Sequence, residues 1–175
     1  MTVFTIGHST RPIGAFIELL AAHGVQHLID VRKIPHSGHN PQFGREQLSA
    51  SVEEAGIHYT HMPGLGGLRR ARKDSTNTGW RNASFRGYAD YMQTREFEEN
   101  VERCVDLAKE ERTALMCAES VPWRCHRSLI ADALVARGID VREITSTTDA
   151  RPHALTPWAR VEGTTVTYPG LPLTS

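Results

Sequence analysis

The sequence predicts an α/β fold, a three-layer sandwich around a mostly parallel five-stranded sheet, on three observations. Short apolar, β-branched runs alternate with amphipathic helical segments, and glycines stand where those segments stop. The composition, 39% hydrophobic and 23% charged over 175 residues, is that of a chain able to bury a sizeable core without disulfides. Strands separated by helices favour parallel pairing through right-handed crossovers. A strand order of 3-2-1-4-5 is expected, in a single domain whose core covers 1–145 and whose tail, 146–175, packs on it.

The first strand is Val3 to Ile6, running into the polar turn Gly7-His8-Ser9-Thr10. Ile13, Phe16, Ile17 and Leu20 then share one helical face, with Ser9 or Thr10 as N-cap, Pro12 in the first turn and Gly24 at the exit. His23 and His27 flank that exit and read as surface groups. A second strand spans Gln26 to Val31, a loop reaches Gly44, and a helix from Arg45 to Ala55 is stopped by Gly56 before the strand Ile57 to His61. The alternation pauses over Pro63-Gly64-Leu65-Gly66-Gly67 and a polar stretch to about Ser84, the longest irregular segment. A short helix over Phe85 to Met92 precedes a longer one over Arg95 to Glu111, where Phe97, Val101, Cys104, Val105 and Ala108 line one side. Thr113 to Cys117 is a buried strand, Cys125 to Arg137 a helix ended by Gly138, and Asp140 to Ile144 the fifth strand. The tail carries Pro152, Pro157, Pro169 and Pro172, with a hairpin at Arg160 to Tyr168 turning on Glu162-Gly163.

Twenty Lys and Arg balance twenty Asp and Glu, so no global field draws the chain to nucleic acid or membrane. No apolar run approaches the roughly 18 residues that span a bilayer, and no signal peptide is evident at Met1 to Phe4, so a cytoplasmic location is expected. Three cysteines are too few for a disulfide framework and read instead as core, redox, metal or catalytic thiols.

Ligands of open parallel sheets gather beyond the carboxyl ends of the strands. Two loops expected there are rich in reactive groups: Gly7-His8-Ser9-Thr10, and Cys117-Ala118-Glu119 through Cys125-His126-Arg127. Cys125, in the first helical turn beside His126 and Arg127, is placed to have a lowered thiol pKa, and Cys117, eight residues earlier, is its expected partner. Inert packing is the alternative for both sulfurs. Glu119 or His8 could move protons, although Glu119 reads more simply as an ion-pair partner of Arg127 or Arg32, and His8 equally well as a capping or packing group. Ser9, Arg32, His126 and Arg127 are the candidate substrate-binding residues, whereas Cys104 lies on an apolar face and reads as structural.

Several readings fail on the residues. Trp123 stands where a Cys-x5-Arg phosphatase loop needs Arg. Gly64-Leu65-Gly66-Gly67 lacks the third glycine of a dinucleotide fingerprint and does not follow the first strand, and no P-loop exists. Zinc held by Cys117, Cys125 and His126 or His8 is disfavoured because adjacent ligands at 125 and 126 match no ordinary spacing. No metal site is expected, and no cofactor is indicated. Arg69, Arg70, Arg72 and Lys73, with Trp80 and Phe85 nearby, could bind nucleic acid but read more simply as a solvated loop.

The chain resembles the domain of unknown function 488 family over nearly its full length. The resemblance rests on Thr5-Ile6-Gly7-His8-Ser9, Asp30-Val31-Arg32, Pro35-His36-Ser37, Pro41-Gln42-Phe43, Tyr59 through Leu65-Gly66-Gly67, Tyr88-Ala89-Asp90-Tyr91-Met92, Cys117-Ala118-Glu119 and Cys125-His126-Arg127. It implies a fold and a site in which the Cys-Ala-Glu and Cys-His-Arg segments work together, without supplying a reaction. One departure is the Ser37-Gly38-His39-Asn40 stretch, which is less basic than in similar sequences and weakens a phosphate role for that loop. The expectation is an enzyme with a thiol-containing site acting on an anionic or nucleotide-like small molecule. The alternative is a nucleotide or nucleic-acid binding module without turnover, and a third possibility is a silent scaffold.

Overall fold

Eight strands and five α-helices follow one another through residues 1–36 and 38–170, which the computed structural model of the chain describes. Ser37 of the Pro35-His36-Ser37 motif, and the last residues of the tail with Pro172, lie outside the described residues. In chain order the elements are β1 (Thr2–Gly7), α1 (Ile13–Ala22), β2 (His27–Asp30), α2 (Arg45–Glu54), β3 (His58–His61), α3 (Ala83–Tyr91), α4 (Arg95–Glu110), β4 (Thr113–Cys117), α5 (Arg127–Ala136) and β5 (Asp140–Ile144), then β6 (Ala150–Pro152), β7 (Arg160–Glu162) and β8 (Thr165–Thr167). Gly24, Gly56 and Gly138 all adopt positive φ just past a helix, the left-handed exit that glycine takes without a Cβ clash. The first helix begins differently from expectation: Pro12, not Ser9 or Thr10, occupies its N-cap.

The α/β class holds, with a six-stranded, mostly parallel sheet in the order β3-β2-β4-β1-β5-β6. Two details differ from the sequence reading. β4 is inserted between β2 and β1, pairing in parallel with both, and β6 from the tail adds an antiparallel edge to β5. The central place of β4 has a physical signature, since all five of its residues, Thr113 to Cys117, are buried, as befits a strand covered on both faces. Edge strand β3 by contrast is half-exposed.

Alternation along the strands separates two cores. Phe4, Ile6, Leu28, Ala114 and Met116 face α1 and α2 with Phe16, Leu20, Leu48 and Val52. Val3, Ile29, Val31, Leu115 and Cys117 face α3, α4 and α5 with Tyr88, Phe97, Val101 and Leu129. Cys104 sits fully buried in the second core, and its burial pushes the thiol up to about 12, consistent with a packing role.

Buried carboxylates tie the irregular segments down. Asp132 on α5 accepts from the Tyr168 hydroxyl at 2.7 Å and the Thr156 amide at 3.0 Å, and lies 2.7 Å from His153 Nε2, which fastens the tail to the second core. Asp90 on α3 accepts from Ser75 Oγ, Asn77 Nδ2 and the Arg72 amide at 2.6 to 2.9 Å, fixing the long loop before α3. No helix among the described residues is long and apolar enough to cross a membrane.

Candidate functional site

Inserting β4 between β1 and β2 brings three loops together at the carboxyl edge of the sheet. Beyond the strand ends the β1–β4 ladder continues, with the His8 amide donating to the Cys117 carbonyl and the Ser9 amide to that of Ala118, both at 2.9 Å. On the other side the Val31 amide donates to the Met116 carbonyl at 3.0 Å, so Arg32 follows directly beside the Cys117 loop. The approach is close enough that a Cβ on Gly7 would overlap the Glu119 carbonyl. Ser9 pays for the turn with a left-handed backbone, φ 51°, unusual for a residue other than glycine.

The two sulfurs meet in this cleft. Cys125 lies just ahead of α5 rather than in its first turn, and the amide of Arg127, the first helical residue, donates to its Sγ at 3.4 Å. The Cys117 thiol lines the same hollow with its donor toward the Glu119 carbonyl at 3.9 Å, and His126 Nδ1 is 3.8 Å from the Cys125 sulfur. His126 Nε2 faces the Val31 carbonyl at 3.3 Å, so the ring is held between that carbonyl and the Cys125 sulfur. The Cys125 thiol is held well below its usual range, first by the neighbouring Cys117 thiol, against the cost of burial, with His126 and Arg127 adding to it. Cys117 moves the opposite way, because burial and the adjacent Cys125 keep its proton on. The two thiols titrate together, with Cys125 the one that loses its proton first.

Arg127 does something other than the anion binding expected of it. Its guanidinium is fully buried and donates to Cys117 Sγ, to the Glu119 and Ser120 carbonyls and to Glu143, whose Oε1 is 2.6 Å away. Every arm of the guanidinium is occupied inside the protein, so it positions the thiol pair and the 117–120 loop. Glu119 touches Arg127 through its carbonyl, while its carboxylate accepts from the Val121 amide at 3.2 Å. The ion pair expected of the Glu119 carboxylate is not among the contacts of the described residues.

Arg32 is the buried one among the cations that line the cleft. Two of its nitrogens grip the buried Asp30 carboxylate, Nε to Oδ1 at 2.9 Å and Nη2 to Oδ2 at 2.7 Å, and Tyr59 adds its hydroxyl at 2.5 Å. That leaves Nη1 aimed at His8 Nε2, 3.4 Å away. His8 is itself buried, stacked on Phe43 with centroids 4.2 Å apart, and its Nδ1 proton goes to the Ser9 carbonyl at 2.7 Å. Burial lowers its pKa, so the ring is neutral with Nε2 as an acceptor.

These residues line two adjoining hollows. One, of about 330 Å³, holds Cys117, Cys125, His126, Tyr88, Phe85 and Arg124; the other, of about 490 Å³, holds His8, Ser9, Thr10, His36 and Asn40. Arg32, Ile34, Ala118 and Glu119 border both. His8 thus joins the thiols only across Arg32. A third hollow, of about 440 Å³, opens behind Arg127 and Glu143 and is not lined by either sulfur.

The family profile described as Domain of unknown function DUF488 matches residues 12–134. The chain belongs to that family. Neither a curated protein nor a solved structure matches it. The DUF488 segment contains the Asp30-Val31-Arg32, Cys117-Ala118-Glu119 and Cys125-His126-Arg127 stretches, while the Gly7-His8-Ser9 turn and Glu143 lie outside it.

The basic run does not extend the cleft. Arg69 Cζ stands over the Tyr91 ring, 3.7 Å from its centroid, with Nε on the Gly66 carbonyl, and Arg72 pairs with Asp74 at 3.7 Å. Arg70 and Lys73 are exposed, and none of the four lines either hollow. Sequence reasoning assigned no role to Asp30, Tyr88 or Glu143. A signal existed for two of them: a carboxylate inside a buried strand, as in His-Leu-Ile-Asp and Asp-Val-Arg-Glu-Ile, requires a buried partner.

Proposed function

We propose that this DUF488 chain is a thiol-dependent enzyme acting on an anionic, nucleotide-like small molecule. The observation that carries the reading is the sulfur pair itself: Cys117 and Cys125 line one hollow bordered by Arg32, with His126 Nδ1 3.8 Å from the Cys125 sulfur. Cys125 is the attacking thiolate and His126 the group that takes its proton. Cys117, which keeps its proton, borders the attacking sulfur in the same hollow and holds its place beside Arg127. Arg32 Nη1 and the exposed Arg124 attract the anion, Ser9 and Thr10 line its far end, and His8 or Glu119 serves as the proton-transfer group in that part of the cleft. Together the two hollows are of the size that takes a nucleotide-scale ligand, and the aromatic wall of Tyr88 and Phe85 suits a planar ring.

The test is protection of Cys125 from iodoacetamide by adenosine monophosphate, with adenosine as the uncharged control, followed by mass spectrometry. Slower alkylation with the nucleotide alone, lost in Arg32→Ala, supports the reading. Equal rates with and without the nucleotide would refute nucleotide-like anion binding. Any turnover then found for the bound class must vanish in Cys125→Ser at unchanged melting temperature. Turnover that survives in the Cys117→Ser, Cys125→Ser double variant removes the thiol mechanism.

A further inference from the structure

The opposite, amino-terminal edge of the sheet carries a second cluster that the thiol site does not use. His27 opens β2 and His58 opens β3, and the parallel register sets them side by side. On the other flank β4 begins at Thr113, paired with His27, and Glu111 comes two residues before it, at the end of α4. Three neighbouring chain segments therefore deliver two imidazoles and a carboxylate to one point. One donor atom from each lies within 4.8 Å of those of the other two.

Among the described residues, one buried atom of this cluster has no hydrogen-bond partner. His27 is 6% exposed, and its Nδ1 makes no hydrogen bond, although Glu111 Oε1 is 3.7 Å away. A buried polar nitrogen left unpaired costs free energy that the fold would ordinarily avoid. On the other side of the ring Nε2 contacts Thr60 Oγ1 at 2.7 Å, a hydroxyl able to accept its proton, and in that tautomer Nδ1 presents a bare lone pair. That is the arrangement by which an outer hydrogen bond prepares a histidine to ligate a metal. His58 Nδ1 is 2.6 Å from Glu111 Oε1, a contact in which a cation can replace the imidazole proton, because the mainly exposed His58 ring can carry that proton on Nε2.

The frame around the cluster is fixed before any cation arrives. The Gln26 and His27 amides donate to the Arg112 carbonyl at 2.7 and 3.1 Å, and Gln26 Oε1 accepts from the Arg112 amide at 2.9 Å. Thr113 Oγ1 donates to the Glu111 carbonyl, also at 2.9 Å. The nearest cation in sequence is turned aside: Arg112 Nε donates to the His23 carbonyl at 2.6 Å and the guanidinium lies over the Phe4 ring. His27, read from the sequence as a surface group, is instead the buried member of the set.

We propose that His27, His58 and Glu111 form a binding site for a divalent transition-metal ion, with zinc the cation best suited to two imidazoles and a carboxylate. Two nitrogens and one oxygen match the ligand chemistry of zinc, and three protein ligands leave a fourth position for water or another small ligand. The partial exposure of Glu111 and the larger exposure of His58 give the ion a path from solvent. The site lies across the sheet from Cys117 and Cys125 and stands independently of the thiol reading.

The experiment is calorimetric titration of the tag-free, chelator-treated full chain with Zn²⁺, repeated with His58→Ala, Glu111→Gln and the Cys117→Ser, Cys125→Ser double variant. Expected is one equivalent bound by the wild type and by the double-serine variant, with affinity weakened about tenfold or more in His58→Ala and in Glu111→Gln. Co²⁺ bound in place of zinc should give ligand-field bands without a thiolate charge-transfer band. His58 is exposed and Glu111→Gln nearly isosteric, so both variants can be checked for unchanged melting in the absence of metal. Binding that is undetectable at millimolar Zn²⁺, unchanged in both single variants, or lost only with the two cysteines would overturn the proposal.

Discussion

Arg127 Nη1 donates to Cys117 Sγ at 2.7 Å, while the same guanidinium clasps Glu143 through Nη2 and Nε. A cation buried at this point is fixed on one side by a carboxylate and presents its remaining charge to sulfur. Cys125 lies beside that sulfur, so the same positive charge also bears on the outer of the two thiols. The two cysteines should therefore differ in reactivity, although they are near neighbours in space and each is almost fully buried.

Alkylation makes that difference measurable. Thiolate, not thiol, reacts, so the rate follows the deprotonated fraction. Cys125, whose pKa is lowered, should react with iodoacetamide at neutral pH and keep a flat rate until the pH falls well below 9, the ordinary value. Cys117, pushed upward, should stay unmodified over the same range, and Cys104 likewise. Site-resolved mass spectrometry across a pH series gives both curves, and overlapping midpoints for Cys117 and Cys125 would contradict the assigned polarity.

Glu143→Gln tests the anchor beneath the pair. Arg127 is fully buried and Glu143 nearly so, and the carboxylate also accepts from Thr5 Oγ1. Removing one charge of a buried pair leaves the other uncompensated, a loss of about 3–5 kcal/mol. The exposed pair Arg142–Asp140, on the same strand, supplies the contrast: Arg142→Ala should change stability by no more than about 1 kcal/mol. Urea unfolding of the two variants compares them directly.

Asp90 links the long loop to acid stability. Burial would raise its pKa, but the hydrogen bonds from Ser75, Asn77 and the Arg72 amide outweigh that and hold it below 3.8. The unfolded chain then takes up a proton near 3.8 while the folded chain still resists, so this stabilisation is complete above that pH and is lost as pH falls toward the folded value. Urea midpoints measured down to about pH 3 should fall more steeply in the wild type than in Asp90→Asn, where no carboxylate titrates. Parallel slopes would show that Asp90 does not contribute.

Much of this was legible in the sequence, and the limits have physical causes. Helix ends announced themselves through Gly24, Gly56 and Gly138 because a left-handed exit is a local demand on one residue. The meeting of Cys117 with Cys125 was legible because eight residues of loop and helix start constrain where the chain can go. Strand order was not, since β4 pairs with β1 and β2 across more than 80 residues and nothing local in Thr113–Cys117 names its neighbours. The role of Arg127 was misjudged for a related reason. An arginine beside a cysteine suggests a solvent-facing clamp until Glu143, contributed by the next strand, turns it inward. His27 shows the same gap, since its burial depends on β3 and the Glu111 turn, both distant in sequence.

Gly7→Ala probes how tightly the cleft is closed. Gly7 stands level with Cys117 in the β1–β4 ladder, and the 117–120 loop folds back so near that an added Cβ would overlap the Glu119 carbonyl and crowd Ser120 Cα. Those neighbours are backbone atoms, and the Glu119 and Ser120 carbonyls are also held by Arg127, so neither can move without loosening that guanidinium. Overpacking of this kind costs about 1–3 kcal/mol. Because the displaced loop carries the contact that polarises Cys117, the variant should also lose the difference in alkylation between the two thiols. Thermal melting and site-resolved alkylation report the two effects separately. A stable Gly7→Ala protein with the wild-type reactivity pattern would mean that the loop yields freely, and that the fixed geometry beneath the sulfurs is not what sets their charge.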